Sequence, residues 1–497
     1  MNHLKAVLSA PILLILIVSP AVVRAQPNAR VVIPPTPAGK QLTDWLGVFG
    51  RGRQDEFRRF IGERYSEALL KEDTAHDRAD RQSRSFLDTR GHKLRSIEKS
   101  TPDEIVVLTQ AMLTDLWFRL TVKVDAANKI TQYSSQRIAP PIVIRSDERD
   151  LPRDVEVFMA KLAAADAFSG VVLVAKDGTP IFKRAYGLAS KAYNFPNRID
   201  TKLNIASATK MFTAVAVAQL IEKGKLTLND TVANILPDYP NKEVAKKITV
   251  HHLLSHSSGL GDYHGAGYIC RKGVLRTPHD YFPLLADQKL SFEPGEKMQY
   301  SNAGYVILGA IIEKVSGESY FDYVNRHIFK VAGMTATGFY ETDIDTPNLA
   351  TGYTNFEDKG DDYFEFHLGE RRNTSLYNGA KGSSQGGAFS TADDLLRFCL
   401  ALRAGKLLSA KSVDLLTSKK YFFRKYAASD ISYGYGFEVE EVGGKLAIGH
   451  GGGDLGISSA LRWFPESGYT VVILSNYDRG GIVADDKLKD LIMRTRP

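Results

Sequence analysis

Cysteine is scarce in this 497-residue chain, which contains only Cys270 and Cys399. A dense disulfide framework is therefore excluded as the source of its stability. A chain of this length buries enough apolar surface to fold without disulfides. Cys399 lies in an apolar helical pattern that predicts a buried free thiol, while a single bridge to Cys270 stays open as an alternative.

Long apolar segments are absent after residue 25, which excludes a protein with several membrane spans. At the start, Lys5 precedes an apolar stretch over residues 6–23, and Val23-Arg24-Ala25 places small residues where signal peptidase cleaves. We predict that residues 1–25 form a signal peptide and that the mature protein is secreted into the periplasm. No integral membrane segment is expected after the signal is removed. An uncleaved membrane anchor is the alternative.

Neither sign of charge dominates, because 64 basic residues face 57 acidic ones and the net charge is +7. The small basic excess lies in the N-terminal region, where it is spread out rather than clustered. A dispersed excess is typical of a solvated surface and argues against a nucleic-acid partner.

Two proline-rich joints, at residues 33–37 and 139–141, divide the mature chain. Between them, residues 38–139 begin with apolar residues at helical spacing and continue with strand-like runs at 104–109, 116–124 and 129–138. This order predicts a small α+β domain, and it resembles domains of the nuclear-transport-factor-2 (NTF2) type. Four aromatic residues are predicted to belong to its core rather than to a ligand cage: Trp45, Phe49, Trp117 and Phe118.

Residues 150–497 predict a second, larger domain. A hairpin pattern over residues 170–186 opens it, and a mostly helical stretch follows. Strand patterns at 445–449, 457–464 and 469–475 then precede a last helix at 482–493. Strands at both ends of a helical middle predict one antiparallel sheet with helices packed on it, an α+β fold.

The first candidate catalytic motif is Ser207-Ala208-Thr209-Lys210, which precedes an apolar helical pattern over residues 211–221. A serine in the first turn of a helix lies near backbone amides and the positive end of the helix dipole. Lys210, one turn further, would face the hydroxyl, and an amine whose pKa burial has lowered can accept the serine proton. The pattern is not diagnostic by itself, because residues 96–99 also match it.

The second motif is Tyr300-Ser301-Asn302, which follows a Pro-Gly loop signal and precedes an apolar helical pattern at 303–314. A phenol beside a lysine loses its proton more readily and can pass a proton to a leaving group. Asn302 could hold the lysine or a substrate amide. Other Tyr-x-Asn sequences, starting at 239, 323 and 353, lack this setting, so the context selects Tyr300.

The third motif is the glycine-rich run at residues 449–453, at the end of a predicted strand. Glycines allow a substrate to approach the strand edge, and a backbone amide there can stabilise an oxyanion. A plain glycine-rich turn is the other interpretation.

Taken in order, these motifs resemble those of serine β-lactamases and penicillin-binding proteins, in which Ser-x-x-Lys is followed by Ser/Tyr-x-Asn and a Lys-Thr-Gly element. The order Ser207, Tyr300, His450 is similar to the class C branch with its esterase and D-peptidase relatives. Segments 253–260 and 386–395 also resemble the family. The resemblance covers the chain from about residue 150 onward. It implies a β-lactamase/transpeptidase-like antiparallel sheet with flanking helices and a helical subdomain.

The resemblance also implies roles for the catalytic residues. Ser207 would form an acyl-enzyme from an ester, a D-amino-acid peptide or amide, or a β-lactam. Lys210 and Tyr300 would share the acid–base work, with Tyr300 activating the deacylating water, and Asn302 would orient. No cofactor and no metal are implied, and the partner would be a small-molecule or peptide substrate, including one derived from the cell wall.

On the third motif, the resemblance implies an oxyanion hole made by the amides of Ser207 and Gly453, with Gly451 and Gly452 on the same substrate-binding strand. His450 departs from the family pattern, which opens this motif with lysine. A histidine is largely neutral near pH 7, so it attracts a β-lactam carboxylate less than lysine does. We therefore expect peptide or ester substrates over penicillins.

Two other classes of function remain open at this stage. A zinc site is one, because His252 and His256 have i, i+4 spacing and His251 is adjacent, although no glutamate stands between the pair. A catalytically inactive peptidoglycan- or ligand-binding protein on the same scaffold is the other. The presence of all the named catalytic side chains argues against it.

Overall fold

The structure, a computed structural model, describes residues 31–141, 146–358, 364–375, 377, 379–426 and 429–496. The predicted signal peptide, residues 1–25, lies outside the described residues. None of the helices in the described part is long and apolar enough to cross a membrane.

The N-terminal region consists of helices followed by an antiparallel meander in the order β1-β2-β3-β4. Its helices are α1 (Pro37–Arg51), α2 (Gln54–Arg64), α3 (Glu67–Glu72) and α4 (Ala75–Thr89). Its strands are β1 (His92–Ser100), β2 (Glu104–Ala111), β3 (Trp117–Val124) and β4 (Ile130–Ile138). Strand β1 was not predicted from the sequence, because charged and solvated residues at its outward positions interrupt the apolar pattern of a strand.

A core of its own holds this region together. Trp45 and Phe49 of α1 pack against Phe57 of α2 and against apolar side chains of β2 and β3. Both Trp45 and Phe49 are fully buried, as predicted for core residues. Trp117 is half-buried and lies at the edge of the sheet that faces the larger part of the protein.

The larger part of the chain contains many short strands and one large sheet. Its strands are β5 (Ser146–Asp147), β6 (Gly170–Lys176), β7 (Thr179–Tyr186), β8 (Leu188–Ser190), β9 (Phe195–Pro196), β10 (Leu203–Asn204), β11 (Tyr353–Thr354), β12 (Phe356–Asp358), β13 (Phe364–Phe366), β14 (Arg372–Asn373), β15 (Phe389–Ser390), β16 (Tyr421–Tyr426), β17 (Ser429–Tyr433), β18 (Glu438–Val442), β19 (Lys445–Asp454), β20 (Ile457–Trp463), β21 (Tyr469–Ser475) and β22 (Thr495–Arg496).

Helices surround this sheet and fill the middle of the chain. They are α5 (Leu151–Ala164), α6 (Lys210–Glu222), α7 (Val232–Ile235), α8 (Lys242–Lys247), α9 (Val250–Leu254), α10 (Ala266–Arg271), α11 (Phe282–Leu285), α12 (Asn302–Ser316), α13 (Tyr320–Val324), α14 (Lys330–Ala332), α15 (Ala392–Arg403), α16 (Ala410–Thr417) and α17 (Gly480–Arg494). Single turns of 3-10 helix cover Glu148–Asp150, Ala206–Thr209 and Pro278–Tyr281, and a π-helical turn covers Asn325–Phe329.

The eight-stranded sheet has the order β16-β17-β18-β19-β20-β21-β6-β7, and every pairing in it is antiparallel. Strands from both ends of the domain meet where β21 pairs with β6, which confirms the predicted antiparallel sheet. Along β6, Val171 and Leu173 join a core with α6, α12 and α15, whereas Val172 and Val174 join a second core with α5 and α17. Helices therefore cover both faces of the sheet.

Strands β16, β17 and β18 were not predicted from the sequence. In β18 the charged residues Glu438 and Glu440 are buried together with Val439, so the strand lacks the alternation of apolar and polar residues that sequence patterns detect. Arg462 of β20 and Lys489 of α17 provide their counter-charges, at 2.7 and 2.8 Å.

Charged contacts connect the N-terminal region to the larger part of the chain. Arg137 of β4 pairs with Asp486 of α17 at 2.7 Å, and Arg479 donates to Asp88 of α4 at 2.7 Å. Elsewhere, Cys270 is exposed and Cys399 is buried, and neither is in a disulfide.

Candidate active site

Ser207 lies in the 3-10 turn that leads into α6. The preceding residue, Ala206, has a positive φ of 44°, which is a strained conformation for a residue with a side chain. The Asn204 side chain accepts a hydrogen bond from the Ala206 amide at 2.8 Å and holds this turn in place. As a result, the Ser207 side chain is directed toward a cleft rather than into the core.

Lys210 is fully buried at the start of α6, with Nζ 3.2 Å from Ser207 Oγ. Nζ also donates to the Asn302 side-chain oxygen at 2.7 Å and to the Gln385 carbonyl. Burial lowers the pKa of Lys210 to about 7, so much of the amine is neutral near neutral pH. A neutral amine has two N–H groups and one lone pair. With both N–H groups directed at Asn302 and Gln385, the lone pair is free to accept the Ser207 proton.

Asn302 is the first residue of α12, and its side chain bridges two charged groups. Its oxygen accepts from Lys210, and its amide nitrogen donates to Asp262 at 2.7 Å. The helix start is held by Ser301, whose hydroxyl caps Gly304 and donates to the Gly261 carbonyl at 2.7 Å. The loop that carries Asp262 and the helix that carries Asn302 are thereby fixed together.

The centroid of the Tyr300 ring lies 4.9 Å from Lys210 Nζ. Protein atoms packed around the ring raise the pKa of Tyr300 well above that of a free phenol, so Tyr300 keeps its proton in the resting protein. This differs from the expectation that the adjacent lysine favours the phenolate, because burial of the phenol dominates its pKa. In this arrangement Lys210 is able to accept a proton and Tyr300 is able to donate one.

His450 is buried, and its Nε2 lies 2.9 Å from the Tyr433 hydroxyl. Burial lowers the pKa of His450 to about 4, so the imidazole is neutral at pH 7. The imidazole packs behind the cleft near Tyr300, with ring centroids 6.5 Å apart. The third motif therefore places no positive charge beside the nucleophile.

The glycines of the third motif form the open edge of β19. Pairing with β18 ends at Gly449, whereas pairing with β20 continues to Asp454, so residues 450–454 have no partner strand on the β18 side. At Gly452 an added Cβ would lie 2.2 Å from the Ile205 carbonyl, so glycine lets this strand approach the segment that carries Ser207. Gly453 and Ser207 line the same cleft, which has a volume of about 190 Å3.

The model of the beta-lactamase family matches residues 155–492, well over half of the chain. The chain belongs to the beta-lactamase family. Relatives within it include serine hydrolases.

Three relatives illustrate the breadth of the beta-lactamase family. Penicillin-binding protein 4* of Bacillus subtilis is 32% identical over 334 residues, which is 65% of this chain and 71% of that protein. Esterase EstB of Burkholderia gladioli is 32% identical over 272 residues, 50% of this chain and 69% of the esterase. The crystal structure of a penicillin binding protein from Bacillus halodurans superimposes with a TM-score of 0.58 at 29% identity, covering 69% of this chain and 99% of that one.

Several predicted residues meet at the active site of this beta-lactamase family member. Hydrogen bonds from Lys210 join Ser207 and Asn302 in one cluster, and the Tyr300 ring lies 4.9 Å from Lys210 Nζ. Gly453 lines the same cleft as Ser207. Gly451, Gly452 and the buried ring of His450 lie behind this surface and are not among the residues that line the described cleft.

Sequence patterns assigned no role at this site to four residues that contact it or line it, namely His256, Asp262, Gln385 and Asp454. His256 was considered there as a zinc ligand. His256 stacks on Tyr300 at 4.2 Å between centroids and accepts from the Ser301 amide at 3.1 Å, which orients the second motif. A signal was available for His256 and Asp262, since both lie in or next to the family-like segment 253–260.

The three histidines considered for zinc have separate hydrogen-bond partners. His251 contacts the Tyr435 hydroxyl at 2.6 Å, His252 accepts from the Thr249 amide at 3.2 Å, and His256 accepts from Ser301. Across the described residues, no three side chains of the metal-binding types converge.

We predict that Gly452→Ala lowers stability by about 1–3 kcal/mol and kcat/KM by about tenfold or more. The new methyl group would collide with the Ile205 carbonyl and, at 2.5 Å, with Ser459 Oγ, which would displace the turn before Ser207. Urea denaturation and ester hydrolysis measure the two effects. Gly453→Ala is the stability control, because nothing lies within 4 Å of its Cβ position. Equal stability of the two variants would contradict the prediction.

Proposed function

We propose that the protein is an exported serine hydrolase that forms an acyl-enzyme on Ser207 from esters or D-amino-acid amides and peptides. The observation that carries this proposal is the buried Lys210 amine, 3.2 Å from Ser207 Oγ and with its pKa lowered to about 7. A lysine in this state serves as a general base at neutral pH.

In the proposed acylation step, Ser207 Oγ attacks the acyl carbon while its proton moves to the Lys210 lone pair. The carbonyl oxygen becomes an oxyanion held by the backbone amides of Ser207 and Gly453. When the intermediate collapses, the bond to the leaving group breaks and Tyr300 donates a proton to the departing atom. The proton taken by Lys210 then passes to the Tyr300 phenolate, which restores the neutral amine and the protonated phenol. Water then attacks the acyl-enzyme with the same lysine as base, which releases the acid and restores Ser207.

The charged residues around the cleft support a substrate that has no carboxylate beside the bond to be cleaved. His450 is neutral and buried, so it offers no cation to the carboxylate of a β-lactam. Asp454, next to Gly453, adds a carboxylate to the lining of the cleft, whereas Lys381 in the same lining pairs with Glu341 at 3.3 Å. Tyr263 and Tyr268, with ring centroids 5.2 Å apart, add aromatic faces. Carboxylate and aromatic groups together favour an ammonium group, such as the free amine of an amino-acid amide or ester.

The experiment compares D-phenylalanine amide, N-acetyl-D-phenylalanine amide, p-nitrophenyl butyrate and nitrocefin on the protein from residue 26 onward. We expect turnover of the ester and of the free-amine amide, and at least tenfold lower kcat/KM for the acetylated amide and for nitrocefin. Asp454→Asn should remove the preference for the free amine while leaving ester hydrolysis unchanged. Ser207→Ala should abolish every activity.

Two results would overturn the proposal. Turnover that survives in Ser207→Ala would remove Ser207 from the mechanism. Failure of a fluorophosphonate probe to label Ser207, with no turnover of any substrate, would favour the alternative of a catalytically inactive ligand-binding protein. Rapid nitrocefin hydrolysis would instead reject the substrate class and retain the hydrolase.

The proposed export rests on the apolar stretch and cleavage pattern of residues 1–25. We propose a periplasmic location for the mature protein, with residues 38–139 as a small NTF2-type domain placed before the hydrolase domain. Cell fractionation, with mass spectrometry of the mature N-terminus, tests the location and the cleavage after Ala25 together.

A further inference from the structure

A second cavity, far from Ser207, lies between the N-terminal meander and the edge of the catalytic sheet. Its volume is about 430 Å3, within the range that small organic ligands occupy in proteins. We call it the inter-domain cavity. One wall comes from β3, β4 and the segment that follows, and the other from the β18–β19 turn and the end of α17. The residues that decide its chemistry are Trp117, Ile138, Val442, Lys445, Met493 and Arg494.

The walls of the inter-domain cavity are mainly apolar. Trp117 and Ile138 stand on one side and Val442 and Met493 on the other, so a ligand would contact aromatic and aliphatic groups on both sides. Trp117 is half-buried, whereas Trp45, the other tryptophan of the N-terminal region, is fully buried. The ring of Trp117 is therefore available to contact a ligand in the cavity. An apolar body such as an alkyl chain or a ring would be desolvated on entering this space.

The polar groups of the cavity are nearly all paired with each other or with deeper residues. Lys489 pairs with Glu440 at 2.8 Å, and Arg494 pairs with Asp490 at 2.7 Å. Arg137, the third cation, pairs with a buried carboxylate of α17. Because the carboxylates of this lining are paired with these cations, they are not free to attract a cationic ligand.

Lys445 is the exception among the cations of the lining. In the described part of the chain no carboxylate lies within ion-pair distance of its ammonium group, and the side chain is only partly exposed. A single cation next to apolar walls is complementary to a ligand with one negative charge and an apolar body. We propose that the inter-domain cavity binds a small amphiphilic carboxylate, with its carboxylate at Lys445 and its apolar body against Trp117 and Met493.

The site is separate from the catalytic cleft, although both lie along β19. Lys445 begins this strand and Gly453, which lines the cleft, is near its end. At the rise of an extended strand the two positions are about 26 Å apart. A molecule bound at Lys445 therefore cannot occupy the cleft at Ser207, and it should not compete with substrate.

Calorimetric titration with octanoate, octanol and octylamine tests the proposal on the mature protein. We expect saturable one-to-one binding of octanoate, at least tenfold tighter than that of octanol or octylamine. Binding should persist after Ser207 has been blocked by a fluorophosphonate, and in Ser207→Ala. Equal binding of the three probes, or loss of octanoate binding when Ser207 is blocked, would overturn the proposal.

Substitutions at the two ends of the ligand provide the second test. Lys445→Gln should weaken octanoate at least tenfold without changing octanol, and Lys445→Glu should make octylamine the preferred probe. Trp117→Ala should weaken both octanoate and octanol. Lys411→Gln, an exposed lysine on α16, is the matched control and should leave every affinity unchanged. Octanoate affinity that is the same in Lys445→Gln as in the wild type would reject the site, whatever the outcome for the hydrolase.

Discussion

Replacement of Lys210 by methionine should lower kcat/KM for p-nitrophenyl butyrate by about 10^2- to 10^4-fold, the range that a positioned general base contributes. Methionine fills nearly the same volume but has no lone pair to accept the Ser207 proton. The position is fully buried and accepts an apolar side chain, but the Asn302 side-chain oxygen and the Gln385 carbonyl lose a donor, so we expect a loss of stability of about 1–3 kcal/mol. A large loss of activity in protein that remains folded would identify Lys210 as the base.

The matched control is Lys223→Met, at the exposed C-terminal end of the same helix. Its activity should stay within about twofold of the wild type, since an exposed surface substitution has little effect. If both variants were equally active, proton transfer would have to be assigned to another group.

The pH profile gives the same assignment independently. Burial lowers the pKa of Lys210 from its ordinary value of 10.5 to about 7. The neutral amine is the base, so kcat/KM for an uncharged ester should rise as pH increases through about 7 and then level off. His450, with a pKa of about 4, titrates too low to cause this rise, and Tyr300, whose pKa burial raises, titrates too high. A profile that is flat between pH 6 and about 8 would contradict the assignment to Lys210.

Arg462→Met should destabilise the protein by about 3–5 kcal/mol, the cost of breaking a buried ion pair from one side. Arg462 is 4% exposed and lies 2.7 Å from Glu438 and 3.5 Å from Asp485, both buried. Glu438 would keep its contact with Arg424 at 3.1 Å, and Asp485 would keep its contact with Lys489 at 3.3 Å, but both buried carboxylates would lose part of the positive charge that compensates their burial. The free energy of unfolding from urea denaturation, followed by circular dichroism, measures the effect.

The sign of the pH dependence provides a further check on this variant. In the wild type, burial raises the pKa of Glu438, but the Arg462 guanidinium outweighs this effect and holds the pKa at about 2. The ionised carboxylate therefore stabilises the folded state above the unfolded pKa of about 4.5. This stabilisation is lost as the pH falls toward 2. Without Arg462, the pKa of Glu438 would rise, because burial would be opposed less, although Arg424 still faces the carboxylate at 3.1 Å. Protonation would then discharge it, so the deficit of the variant should shrink below about pH 5.

Lys419→Met is the control for Arg462→Met. It removes a surface ion pair to Glu441, at 3.0 Å, in which both side chains are about half exposed. Water and salt screen such a pair, so the expected change in the free energy of unfolding is about 0–1 kcal/mol. A similar small change in Arg462→Met would show that the buried network contributes little to stability.

The chain contains the Ser-x-x-Lys pattern at residues 96–99 and at residues 207–210, and the pattern does not reveal which of the two lysines can act as a base. Lys99 lies on the exposed strand β1, where a hydrogen bond from its ammonium group to Glu104 raises the pKa of Lys99. Lys210 has the same spacing from its serine, but packing of α12 and the segment around Gln385 removes it from water and lowers the pKa of Lys210. The spacing is identical, and the opposite chemistry comes from residues distant in sequence.

The family resemblance implied that Ser207, Lys210, Tyr300 and Asn302 share one site. Patterns in the sequence alone predicted the order of the three motifs and the antiparallel sheet built from both ends of the larger region. These features depend on local periodicity, glycine and proline positions, and short-range spacing, which a single chain displays directly.

The burial of charged side chains and the identity of their partners are visible only in the folded structure. The strand β18 with its buried glutamates, the bridge from Asn302 to Asp262, the protonated Tyr300, and the inter-domain cavity at Lys445 all depend on contacts between segments far apart in the sequence. The pKa of an ionisable side chain depends on its burial and on the charges that pack around it in the folded protein. The amino-acid sequence alone therefore could not reveal the protonation states of Lys210 and Tyr300, on which the proposed chemistry depends.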